Sequence, residues 1–396
     1  MKHTAAIVII ALALSGMLAG CDTQAQNKQA AVQRWEKSTA YAKLPTVENL
    51  IERNQLDEAR KTLVKCLQAD PGLAVAHFLM GRVYFIENRN ADARTSFEQA
   101  VALDDTLDAA WYHLGVLAAL DGDDERAMDA YQKALTLKPA EAEYAITVAQ
   151  LYMHTGCIDQ AFGVIEERLR TQPRSRDLLI CMAELNHVSG RPDQTIAHYE
   201  QAILINAKDQ QVLESLGGCY IAQKDWVKAT RTFERLFNLV TEESRKESVL
   251  ETLALCAFNA GRYGQAVNYY DKLSVLRRDD ADVWLNMAQA ALGADQYERA
   301  ADNAARALQL KRSWPQAYAV MGAAHYLQGK YDEAVRSFSY ARSDDEVGGF
   351  AWFMTGRCYA RLGQTAKAEA AYKKAGDLAG DGPLMTRFLK EKADAI

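Results

Sequence analysis

A step of 34 residues recurs along this chain and limits its fold more than any other feature. Small residues return at Ala59, Ala93, Ala127, Ala161, Thr195, Ala229, Ala266, Ala300, Ala334 and Ala368. The step is broken once, by three extra residues near Glu243–Arg245. Four residues after each small one stands Leu63, Phe97, Tyr131, Ile165, Tyr199, Phe233, Tyr270, Ala304, Phe338 or Tyr372. Three further on lies another mostly small position, including Ala100, Ala134, Ala202, Ala307, Ala341 and Ala375. Spacings of four and three place these residues on one helix face. Only small side chains let the two helices of a hairpin approach closely, so the pattern predicts ten helix pairs. Counted from Ala40, the units begin at 40, 74, 108, 142, 176, 210, 247, 281, 315 and 349.

The first helix of each pair has its own pattern. Trp111, Trp284, Tyr318 and Trp352 share one aromatic position, and Gly81, Gly115, Gly217, Gly322 and Gly356 share one close-contact position. Pro71, Pro139 and Pro173 follow second helices, where proline stops a helix. Turns such as "LDGDD", "NAGRY", "LQGKY" and "RLGQT" separate the helices within pairs. In "WYHLGVLAALDGDDERAMDAYQKALTLKP" nearly the whole motif is legible. This pattern resembles the tetratricopeptide repeat family over nearly all of the chain after its first 39 residues. The resemblance implies an all-α, right-handed superhelical solenoid of about ten helix pairs. Repeats 1–6 are expected over 40–243 and repeats 7–10 over 247–382, with a capping helix over 383–396. The weakest units are the first, with Lys43 and Val47 at the aromatic and glycine positions, and the fifth, with Ala183 and Thr195. Arg168 in the fourth stands where alanine is usual.

A single globule of 396 residues would split into domains, whereas a repeat array grows along one axis. The formal charge of −6 gives the chain as a whole no electrostatic reason to bind nucleic acid or anionic lipid head groups broadly.

The chain opens "MKHTAAIVIIALALSGMLAGCDTQ". Its apolar run, Thr4 to Leu18, is shorter than the roughly 20 residues a bilayer-spanning helix needs and has signal-peptide length. Leu18-Ala19-Gly20-Cys21 resembles the lipobox of bacterial lipoproteins. The resemblance implies a signal peptide over 1–20, acylation of Cys21 and a lipidated tether over 21–39, with Trp35 on the first repeat. Asp22 after the lipidated cysteine implies the inner membrane, facing the periplasm, with the outer membrane as the alternative. A plain signal peptide with an incidental cysteine, or an uncleaved anchor, is the simpler reading of the same residues.

In the repeat family, partner contacts lie at the second, fifth, ninth and twelfth residues of each unit. Carried over, the resemblance implies a protein-binding groove that includes Phe78, Arg82, Phe85, Tyr112, Gln150, Glu184, Glu214, Glu251, Asp282, Gln289, Tyr326 and Arg357. Its early part is aromatic with Arg82 as the cation, and its middle, from Asp177 to Asp282, is acidic. Such a surface suits extended or helical protein segments with apolar anchors and basic residues. Apolar positions in this set are equally explained by packing between neighbouring units.

No HExxH, nucleotide-binding glycine loop or GxSxG elbow is present. Glu184 and His187 are three apart, as any surface pair on a helix is. Cys66, Cys157, Cys181, Cys219, Cys256 and Cys358 form no close CxxC group; Cys219, Cys256 and Cys358 share one position on first helices, expected to hold buried thiols, while an exporting compartment would permit disulfides. No cofactor, metal or catalytic residue is expected. The sequence points to a membrane-anchored periplasmic scaffold for an envelope assembly or secretion machine. The alternatives are an accessory subunit of polysaccharide export and, in another class, a groove-based enzyme.

Overall fold

A computed structural model describes residues 28–378, so the segment around Cys21 and the expected capping helix lie outside the described residues. The described residues form twenty helices and no strand. They divide into two compact units, one ending at Leu185 and one beginning at Asn186. The first unit contains α1 (28–52), α2 (Leu56–Ala69), α3 (Ala74–Ile86), α4 (Asn90–Leu103), α5 (Asp108–Leu120), α6 (Asp124–Leu137), α7 (Ala142–His154), α8 (Ile158–Thr171) and the start of α9 (Arg176–Val188). From Asn186 the second unit runs through α10 (Pro192–Ile205), α11 (Gln210–Ala222), α12 (Trp226–Leu239), α13 (Glu243–Asn259), α14 (Tyr263–Leu276) and α15 (Ala281–Gly293). It ends with α16 (Tyr297–Leu310), α17 (Pro315–Leu327), α18 (Tyr331–Ser339), α19 (Gly348–Arg361) and α20 (Thr365–Asp377).

Helices α3, α5, α7, α9, α11, α15 and α17 begin at the residues that open their 34-residue units. Helix α13 begins at Glu243 and absorbs the three extra residues as an added N-terminal turn. Helix α18 stops at Ser339, earlier than the other second helices. There the Asp344 side chain accepts from the backbone N–H groups of Glu346 (3.0 Å) and Val347 (2.9 Å), a turn that leads directly into α19. Residues 28–39, expected to be the part of the tether that becomes helical, are helical and continuous with the first helix of repeat 1. Trp35 is 68% exposed and stands at the edge of a cleft also lined by Lys65, Cys66, Gln68 and Ala69 of α2.

The turn inside each pair is set by one backbone position, the fifteenth of the unit. It holds Gly122, Gly156, Gly190, Gly261, Gly329 or Gly363 in six units and Asn54, Asn88, Lys224 or Asp295 in the others, all with φ between 58° and 78°. The next N–H reaches back to the fifth residue before it, as Asp123 N to Ala118 O (2.9 Å) and Asp225 N to Tyr220 O (2.9 Å) do. That closes the helix end in the Schellman manner. Left-handed backbone costs a residue with a Cβ about 1–2 kcal/mol. Lys224, with φ 59°, is the bulkiest side chain in this position. Lys224→Gly is therefore expected to stabilise the second unit by roughly 0.5–1 kcal/mol after the entropy glycine adds to the unfolded chain. A rise in the urea midpoint checks it, and an unchanged or lower midpoint counts against it.

The small positions that opened the sequence argument are all buried, at 0% exposure in nine units and 4% at Ala368. Across from them the glycines of the first helices meet the rings of the second. A Cβ built on Gly81 would stand 2.5 Å from the Phe97 ring, on Gly115 2.5 Å from Tyr131, on Gly217 2.6 Å from Phe233, and on Gly356 2.6 Å from Tyr372. Of the five units that lack the glycine, three lack the ring as well, with Val47 beside Leu63, Ala149 beside Ile165 and Ala288 beside Ala304 in their units, whereas the fifth and seventh pair Ala183 with Tyr199 and Ala254 with Tyr270. The first repeat thus departs from the pattern as a matched pair, and both Val47 and Leu63 are fully buried. Arg168 is half-buried, with 14% of its side chain exposed. Its guanidinium donates to the Pro139 carbonyl and pairs with Glu167 (2.9 Å).

Candidate functional site

Eleven of the twelve groove residues inferred from the sequence are exposed or half-buried, and Tyr326 is buried. In the first unit Phe78, Arg82 and Phe85 lie on α3 and Tyr112 on α5, all half-buried. Their backs pack on a ring cluster centred on His113. The imidazole stacks on Phe97 at 5.1 Å and 5° and lies 5.8 Å from Phe78, 5.7 Å from Phe85 and 5.7 Å from Tyr112. Arg82 sits 5.9 Å over the Phe78 ring. Tyr112 stacks on Tyr144 at 5.1 Å and donates its hydroxyl to Glu143 (3.1 Å). The arrangement leaves ring edges and one guanidinium toward solvent on a rigid backing. Gln150 on α7 is exposed, and Glu184 on α9 is half-buried, with its carboxyl raised above the usual range by that burial.

His113 was one of seven scattered histidines in the sequence, with no local mark to single it out. Burial and then the positive charge of Arg82 push its pKa down to about 4. Its Nδ1 is buried with no hydrogen-bond partner, which fits a neutral ring used as packing.

The second unit changes the expected acidic stretch. Glu214 on α11 pairs with Arg245 (2.8 Å), which also donates to Gln210 (3.1 Å). Glu251 on α13 pairs with Arg277 (2.9 Å), and the same guanidinium contacts Glu247 and, at 3.8 Å, Asp280. Hydrogen bonding to Glu247 holds the Arg277 pKa above its ordinary value. Arg245 lies in the three-residue insertion and Arg277 just after α14, so neither stands at a groove position in the repeat frame. Asp282 remains exposed and Gln289 is half-buried.

Tyr326 departs from expectation outright. It is 3% exposed, beside Tyr331 at 5.5 Å with the half-buried Arg357 5.3 Å over its ring, so it serves packing and not contact with a partner. Leu285, Leu292 and Phe350, also at contact positions of the frame, are buried too. All four belong to one buried cluster, in which Tyr326 meets Tyr331 of α18 and Arg357 of α19 and Phe350 meets Phe338 of α18, so neighbouring helices cover these positions.

In two units the tryptophan at position four ties the helix to the preceding loop. The indole N–H of Trp111 donates to the Asp105 carbonyl (2.9 Å) and that of Trp284 to the Arg278 carbonyl (2.9 Å), each tying a first helix to the loop before it. The six described cysteines are free thiols, with Cys66, Cys181, Cys256 and Cys358 buried. Burial pushes the thiols of Cys181 and Cys358 up to about 12 and that of Cys256 up to about 11. Among the described residues no three His, Cys, Asp or Glu side chains are placed to hold a metal ion, and no helix is long and apolar enough to cross a membrane.

The tetratricopeptide repeat profile matches residues 78–142, 252–318 and 320–383. Over 277 residues, 64% of this chain, the sequence is 22% identical to Tetratricopeptide repeat protein 37 of Xenopus laevis, and it spans 17% of that protein. Among solved structures, MamA superposes with a TM-score of 0.39 at 20% identity, covering 43% of this chain and 91% of MamA. PilW, described as a widely conserved type IV pilus biogenesis factor, gives 0.39 at 14% identity, covering 60% of this chain and 93% of its own. YrrB, described as a TPR protein with an unusual peptide-binding site, gives 0.38 at 19% identity over 47% of this chain and 96% of its own. These likenesses bear on the fold alone. With its ten in-phase units, its glycine–ring contacts and the profile matches in three segments, the chain belongs to the tetratricopeptide repeat family.

Proposed function

We propose that this chain is a lipid-anchored scaffold that binds protein segments at an envelope membrane. The observation that carries the binding half is the surface of Phe78, Arg82, Phe85 and Tyr112 in the first unit. Apolar ring edges beside one cation, held on a packed backing, form the kind of pre-ordered patch on which aromatic and arginine hot spots concentrate. The segment it suits carries apolar anchors and an acidic group for Arg82. That differs from a basic segment gripped along an acid stripe, because Glu214 and Glu251 already have arginine partners. The anchoring half rests on Leu18-Ala19-Gly20-Cys21, with the mature chain facing the periplasm from the inner membrane. An anchored array raises the local concentration of whatever it holds.

The test is cross-linking in native cells, capture of the full-length protein from membranes and identification of what accompanies it. Phe85→Ala and Arg82→Glu, each with retained helical circular dichroism, are expected to reduce recovery of a specific partner at least about tenfold. Unchanged recovery from both variants would sink the binding surface. Cys21→Ser is expected to abolish incorporation of labelled palmitate and move the protein out of the membrane fraction; palmitate incorporation that persists would sink the anchor.

A further inference from the structure

We infer that the N-terminal extension of α1 is an interfacial helix that lies on an anionic lipid surface. The net charge of the chain is −6, yet residues 28–43 hold four cations, Lys28, Arg34, Lys37 and Lys43, against the single carboxylate of Glu36. Helical spacing puts Lys28, Val32, Trp35 and Ala42 on one stripe, with Lys43 along its flank and Arg34 about 100° round the helix from Trp35. Val32 is 46% and Trp35 68% exposed, on successive turns of a segment that runs beyond the packed part of repeat 1. Trp35 also forms one wall of an open cleft of about 360 Å³, whose other walls include Thr39, Lys43 and Lys65. Lys65 on α2 therefore adds a further cation beside the indole. Lys37, on the opposite side of the helix, is held by Asp70 (3.0 Å) and ties the extension to the repeat.

An indole beside lysines is a side-chain set that prefers the boundary between acyl chains and head groups. Each such cation near an anionic leaflet strengthens binding roughly fivefold. The occupant follows from charge and from chain length. Cys21 precedes Lys28 by seven residues, at most about 25 Å of extended chain. Trp35 lies about 10 Å further along the helix. With Cys21 acylated, as proposed above, the basic stripe cannot leave the neighbourhood of the bilayer, and a weak surface affinity becomes sufficient. The inference rests on that anchoring for its strength but not for its chemistry, so the two are separable by experiment.

The first measurement uses residues 21–396 with Cys21→Ser, which retains every described helix and has no acyl chain. Flotation with vesicles of phosphatidylglycerol and phosphatidylethanolamine is expected to recover at least fivefold more protein than flotation with phosphatidylcholine, and 0.5 M salt is expected to remove the difference. The double variant Arg34→Glu/Lys43→Glu is expected to lose it as well. The second measurement uses the full-length protein reconstituted into the same anionic vesicles with dibrominated lipid. Quenching is read as the difference from Trp35→Phe, which isolates Trp35 from the other five tryptophans. Quenching at Trp35 together with the anionic preference supports the interfacial helix. No quenching at Trp35 overturns it whatever the flotation shows, including the outcome in which a second copy or another part of the chain covers the indole. Equal recovery with anionic and neutral vesicles also overturns it. Loss of palmitate labelling at Cys21 would remove the anchor alone.

Discussion

Phe338→Ala is expected to cost the second unit about 3–5 kcal/mol, the range for emptying a fully buried ring site. Phe338 is 0% exposed, and it closes the contact between α17 and α18. A Cβ on Gly322 would stand 2.8 Å from the Phe338 Cδ1 and Cε1 atoms. Phe350 meets the same ring edge-on at 6.0 Å, so the ring has little room to retreat. Gly322→Ala alone is therefore expected to cost about 1–3 kcal/mol by overpacking. The informative measurement is the cycle with Phe338→Leu. A smaller side chain leaves space that the new methyl group fills, so the double variant is expected to cost at least about 1 kcal/mol less than the two singles together. The chain already holds such pairs at Val47 with Leu63 and Ala149 with Ile165. Because each repeat leans on its neighbours, the readout is local: hydrogen exchange of amides in α17–α19. Additive losses, within about 0.5 kcal/mol, would show that glycine and ring are not one structural unit.

The first unit is expected to lose about 2–3 kcal/mol of stability between pH 7.5 and 4.5 through His113. Its folded pKa of about 4 lies below the ordinary value of 6.5, chiefly because burial disfavours the charged ring and secondarily because Arg82 is near. Between pH 6.5 and 4 the unfolded chain therefore binds a proton that the folded chain does not. Stability rises with pH through that window and, for this group, is flat above about 7 and below about 3.5. The charge facing the ring is that of Arg82 on α3. His113→Phe preserves a ring stacked on Phe97 and removes the titration. The check is the difference between wild type and variant in hydrogen-exchange protection of α3–α6 at the two pH values, corrected for intrinsic exchange. Equal pH dependence in both proteins would mean that His113 is hydrated and titrates normally. A protonated ring at low pH would also repel Arg82, so partner capture through Arg82 and Phe85 is best measured at neutral pH.

The number, order and phase of the helix pairs were legible in the sequence. Each determinant is local or repeated: alanine at a helix crossing, a ring four residues on, a left-handed residue in the turn. Ten copies in register leave little freedom in where the helices start. Even the inserted residues 243–245 were visible as a phase shift, and the helix simply lengthened to hold them. Phe78, Arg82, Phe85 and Tyr112 are half-buried, while Tyr326, Leu285, Leu292 and Phe350 at equivalent positions are buried, so position in the frame alone does not fix exposure. What the sequence could not decide was the fate of side chains whose partners sit about 30 residues away on another helix. Glu214 and Glu251 look like free acids until Arg245 and Arg277 are placed beside them. Tyr326 looks like a contact residue until α18 and α19 bring Tyr331 and Arg357 over it. His113 has no distinguishing spacing, and only the convergence of rings from three helices makes it a buried, neutral imidazole. Repetition fixes where backbones go because small residues and turns act within one hairpin. Ionisation and exposure depend on the distances between hairpins, and those exist only once the stack is built.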